Sequence, residues 1–152
     1  GLYFMLFPIG YWLGNLTSSK LSGRVSVETM VLAGSILLVV TALGFSALVL
    51  AGNIVPLTIF IPGFFITFAQ GIALPNTQAG AIRLAGSLAG TASGIGVFCQ
   101  LFGAALFTQC YGLFADGTPV PLIIVVMIAS VLSFIVGTIP FVIARRGNPV
   151  SG

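Results

Sequence analysis

Long apolar stretches broken by short polar punctuation run through the whole chain. Lys20, Arg24 and Glu28 cluster early, Arg83 and Asp116 stand alone, and Arg145 and Arg146 come near the end. No charge falls between Glu28 and Arg83, which leaves room for two membrane helices of about 20 residues each and a turn. Ala51-Gly52-Asn53 marks that turn, and Pro56 is placed to open the next helix. Leu84–Ala115 and Gly117–Ala144 hold one further helix each, while the apolar opening segment is short for a full span. The pattern predicts an all-α polytopic membrane protein with five helices, over about 1–17, 29–51, 55–76, 86–114 and 119–144. The bundle then occupies 1–146, with a tail at 147–152.

Composition sharpens this picture. The 152 residues are 58% hydrophobic and 5% charged, against roughly a quarter charged in an average soluble domain. That balance excludes a soluble globular enzyme, and the hydrophobicity excludes disorder. With two acidic residues and no histidine, no catalytic dyad or metal-ligand set can be assembled, so neither enzyme activity nor a cofactor is expected. Cys99 and Cys110 stand about 16 Å apart on one helix, beyond disulfide reach, and are expected as buried free thiols.

The net charge of +3 comes from five scattered basic residues, which make no nucleic-acid patch. Membrane orientation explains them better. Loop 18–28 carries two, loop 77–85 one and the end of the chain at 145–152 the other two, and the intervening loops none. The positive-inside rule therefore predicts a cytoplasmic C-terminus and an outward-facing start. An odd number of spans beginning outside, at Gly1 and with no signal-peptide pattern, leads us to expect a fragment lacking its N-terminal part.

Candidate functional positions fall in three segments. In the first, Tyr3, Phe7, Tyr11 and Asn15 recur every four residues on one helix face, either lining a cavity or packing against neighbours. Gly10 and Gly14 form a small-xxx-small pair that marks close helix contact. In the third, Pro62-Gly63 predicts a kink or hinge, and Phe64 and Phe68 share a face. Asn76 and Gln78 either satisfy backbone freed around Pro75 or contact substrate. In the fourth, Gly86, Gly90 and Gly94 would admit a close helix neighbour. Gln100, near mid-bilayer, is either a ligand contact or an interhelix bond. The second and fifth segments, built of Val, Ile, Leu, Ala and Phe, read as lipid-facing or peripheral.

The order of these features resembles the C-terminal half of major facilitator superfamily transporters. Residues 3–15 with Leu21-Ser-Gly-Arg24 resemble their eighth helix and following loop, and the run GIALPN at 71–76 resembles the end of the tenth. The run LAGTASG at 88–94, with Gln100 and Gly103-Ala104, resembles the eleventh helix of the drug:proton antiporter branch, particularly Bcr/CflA-type multidrug exporters. The resemblance covers helices eight to twelve of twelve. It implies alternating access around a midplane cavity, proton coupling through residues of the missing N-terminal half, and a bacterial inner-membrane location.

The expected function is thus that of part of a proton-coupled exporter of drugs or small apolar or amphipathic metabolites. Tyr3, Phe7, Tyr11, Asn15, Phe64, Phe68 and Gln100 would line the substrate path. Gly86, Gly90, Gly94, Pro62, Gly63 and Arg24 would serve helix packing and gating. A transporter of sugars within the same superfamily and a complete five-helix membrane scaffold are the alternatives.

Overall fold

A computed structural model describes residues 1–52 and 55–146, with backbone only at 144 and 145. After a 3₁₀ turn at Leu2–Met5, five α-helices follow: α1 (Leu6–Leu21), α2 (Val27–Leu50), α3 (Pro56–Ala85), α4 (Ala89–Phe114) and α5 (Val120–Arg146). No strand is present among the described residues. The expected tail at 147–152, and Asn53 of the expected turn, lie outside the described residues.

Local chemistry sets the helix ends. Gly23, at φ +87°, turns the chain after α1. The Ser26 hydroxyl caps α2 by accepting from the Thr29 backbone N–H at 3.3 Å. Pro56 opens α3, where a missing N–H costs no helical bond. The third helix does not stop near residue 76, and 77–85 is not a loop. Thr77 to Ala85 is rich in alanine and other good helix formers, and Pro75 is accommodated inside the helix. The chain reverses only at Gly86, whose φ of +52° disfavours any side chain.

Three helical stretches, Val27–Leu50, Pro56–Phe114 and Val120–Ile143, are long and apolar enough to cross a bilayer. The second spans 59 residues, which as one straight helix would measure roughly 90 Å, three times the hydrocarbon thickness. It is instead a hairpin of α3 and α4 folded back at Gly86, so that Leu74 and Gln100 line one hollow. At 16 residues α1 is shorter than the ~20 a full crossing needs. The chain is a helical membrane protein.

At the centre, α3 packs against α1 on one side and α2 on another, and α2 packs in turn on α5. The small core consists of Phe45 and Val49 of α2 with Ile123 of α5, flanked by Leu122 and Met127. Reading the second segment as peripheral is therefore overturned: α2 buries Met30, Val31, Gly34, Ser35, Ala42, Phe45, Ser46 and Val49. By contrast α4 buries no residue at all. Both cysteines lie on it and are exposed, not buried as expected. Lipid tails are as apolar as leucine, so a uniformly apolar helix carries no mark of which face meets protein.

Candidate functional site: two hollows flanking the third helix

The α1–α3 contact is built on missing side chains. A Cβ on Gly10 would lie 2.5 Å from the Phe64 carbonyl oxygen, and one on Gly14 would run into the Phe68 carbonyl and sit 3.0 Å from the Gly71 Cα. From the other helix, a Cβ on Gly71 would strike the Tyr11 carbonyl. Such backbone-to-backbone approach is what small residues permit in a bilayer, where dispersion contact drives association.

The aromatic stripe lies along this seam. Tyr3 stacks on Phe60 with centroids 5.4 Å apart, and Phe7 meets the same ring at 5.5 Å. The Phe7 ring occupies the space a Gly63 side chain would need. Pro62 is buried within a continuous helix, and Thr67 Oγ1 donates to the carbonyls of Gly63 and Phe64, both at 3.0 Å. Phe64 and Phe68 stack at 6.4 Å and lie half-buried. Tyr11 is exposed, and Asn15 turns its amide onto the Tyr11 carbonyl at 3.0 Å within its own helix. Tyr3, Phe7 and Phe64 are thus brought together at the α1–α3 seam, whereas Gln100 lies elsewhere.

Gln100 faces the hollow between α3 and α4, of about 220 Å³, together with Thr77 and Gln78 of α3 and Ser93 of α4. It is exposed and forms no side-chain hydrogen bond among the described residues. The glycines expected to admit a neighbour do not do so among the described residues. Gly86 forms the turn, and a Cβ on Gly90 or Gly94 would meet open space. Arg24 is exposed in the α1–α2 turn, where its backbone N–H donates to the Leu21 carbonyl at 3.0 Å.

Asn76 has a structural role. It is buried, and its amide donates to Ser18 Oγ of α1 at 2.7 Å and to the Ile72 carbonyl at 2.6 Å. This bond pins the end of α1 to α3 one residue beyond Pro75.

Sequence reasoning missed the larger hollow. About 460 Å³ in volume, it lies between α2, α3 and α5, with Val31, Ala73, Val136 and Pro140 among its walls and Glu28 and Arg83 among its lining. Thr77 and Ala81 of α3 line both hollows. Only the alignment of three helices at one end creates it, and no spacing along the chain announces that. The same arrangement gathers Lys20, Arg24, Glu28 and Arg83 at one end of the bundle, where α5 also terminates. Asp116 sits at the other end. Its carboxyl is held below the usual carboxylate range, first by the Thr118 hydroxyl at 2.6 Å and then by the Thr118 backbone N–H at 2.9 Å.

No group of three or more His, Cys, Asp or Glu side chains is placed to hold a metal among the described residues. Comparison of the chain with family models, with curated proteins and with solved structures yields no match.

Proposed function

We propose that the chain is one wall of a secondary transporter that moves small apolar or amphipathic molecules across a membrane by alternating access. The observation that carries this reading is Gln100. A carboxamide halfway along an uncharged membrane helix, exposed and without a partner among the described residues, is costly against lipid. A water-filled path or a further helix must meet it. Gln78, Thr77 and Ser93 around the same hollow supply weak polar contacts between apolar walls, which suits loosely selected amphipathic substrates.

The order of motifs supports placing this wall in the C-terminal half of a major facilitator drug:proton antiporter. In that arrangement the basic end of the bundle faces the cytoplasm of a bacterial inner membrane. Proton coupling then resides in the N-terminal half. A scaffold that docks a partner helix on Gly90 and Gly94 is the second reading, favoured by the open space over those glycines.

Efflux of ethidium from energised cells expressing the complete reading frame tests the proposal. Gln100→Ala and Gln78→Ala should each change the rate or the range of substrates extruded. Wild-type cells that extrude no more dye than empty-vector cells, or variants that match wild type for every substrate, would refute it.

A further inference from the structure

The groove between α2, α3 and α5 shares Thr77 and Ala81 with the α3–α4 hollow assigned to transport but is otherwise walled by different helices, and three features define what it accepts. Its walls are mainly apolar, with Val31, Ala73, Val136 and Pro140. Ser35, Asn76, Thr77 and Ser133 add hydroxyl and amide groups. One side is shut where Ser35 of α2 fills the space a Gly137 side chain would need on α5. Glu28 of the first turn of α2 and Arg83 of the last turn of α3 line it at the charged end of the bundle. Neither side chain forms a hydrogen bond or ion pair among the described residues.

Two opposite charges without a partner among the described residues, beside an apolar cleft, call for a ligand that carries both signs on an apolar body. A purely anionic amphiphile would leave Glu28 unmatched and repelled; a purely cationic one would do the same to Arg83. A quaternary ammonium offers the carboxylate charge but no N–H donor, whereas a primary ammonium offers both. Guanidinium pairs with phosphate through parallel N–H donors. The volume of about 460 Å³ lies within the usual range for small-molecule sites.

We infer that this groove binds a phospholipid with a phosphoethanolamine headgroup, its phosphate on Arg83, its ammonium on Glu28 and an acyl chain along the cleft toward Val136. The site is independent of the transport reading. An ordered lipid here would bridge α3 and α5, which otherwise meet chiefly through α2.

Native mass spectrometry of the purified chain in detergent, titrated with palmitoyl-oleoyl phosphatidylethanolamine or phosphatidylcholine, tests it. Wild type should hold the ethanolamine lipid at least about tenfold more tightly, the scale of a hydrogen bond to a charged group. Glu28→Gln should abolish that preference while leaving phosphatidylcholine binding unchanged. Arg83→Gln should weaken both lipids about tenfold. Gly80→Leu, which fills the cleft from α3 towards Val27, should weaken both while the rim charges remain. Equal binding of the two lipids by wild type, or a preference that survives Glu28→Gln, would overturn the assignment. So would binding indifferent to Gly80→Leu, or tail-free glycerophosphoethanolamine competing as well as the lipid.

Discussion

Replacing Gly14 with alanine puts a methyl group where α1 and α3 meet backbone to backbone. The new Cβ would stand 3.0 Å from the Gly71 Cα and 3.1 Å from the Phe68 carbonyl carbon, with the carbonyl oxygen nearer still, whereas ordinary contact starts at 3.4 Å. None of these atoms belongs to a flexible side chain that can swing aside. The helices must therefore separate by at least several tenths of an ångström along the seam. A gap of 0.5–1 Å forfeits about a quarter to a half of each pairwise dispersion well, and overpacking of a rigid site costs about 1–3 kcal/mol. We expect Gly14→Ala to destabilise the bundle by about 2 kcal/mol, roughly a thirtyfold fall in the folded-to-unfolded ratio. Gly90→Ala is the matched control, because no described atom lies within 4 Å of its Cβ and alanine favours the helix. Unfolding in mixed micelles by graded sodium dodecyl sulfate, followed by circular dichroism, reads both variants. Equal stability of Gly14→Ala and Gly90→Ala would refute the proposed seam.

Other consequences follow from the same contacts. A double-mutant cycle of Asn76→Ala and Ser18→Ala should give a coupling energy of about 0.6–1.7 kcal/mol in the same unfolding assay, the range for interhelical hydrogen bonds in membranes; zero coupling would deny the bond. Gly137→Ala should destabilise the α2–α5 contact, and Ser35→Ala should restore most of the loss, since the Ser35 hydroxyl is the group in the way. Gly63→Ala should be relieved by Phe7→Leu, because the obstruction there is a movable ring. The Asp116–Thr118 hydrogen bonds have a defined pH window: a carboxyl with a lowered folded-state pKa contributes above its unfolded pKa and loses that contribution as pH falls through the folded value. Carbon-detected NMR should find the Asp116 carboxyl titrating below an unstructured aspartate, and the Thr118→Ala variant should move it back up.

The all-helical membrane class was legible because runs of apolar residues between sparse charges admit little else. The Gly10–Gly14 pair was legible for a similar reason: two glycines four apart share a helix face, and α3 lies against that face. Where the chain turns after α3 was not. Pro75 suggested an end, but proline inside a membrane helix is tolerated when the helix has good formers beyond it and a well-bonded neighbour such as Asn76. The glycine spacing at 86, 90 and 94 looked equivalent to that at 10 and 14, yet one pair faces a neighbour and the other faces open space. Spacing specifies a face; only the tertiary arrangement specifies what covers it. Burial in α2 and the groove beside it were hidden for the same reason, since their residues carry no periodic polarity.

Water access at position 100 tests the central claim most directly. In a background with Cys99→Ser and Cys110→Ser, a cysteine introduced by Gln100→Cys would be challenged in native membranes with a membrane-impermeant maleimide, with and without ethidium. A wall of a substrate path predicts labelling at position 100 that ethidium slows, and no labelling of Leu43→Cys on the exposed apolar side of α2. If position 100 stays unreactive, or reacts at the same rate with and without ethidium, the hollow between α3 and α4 is not a substrate path.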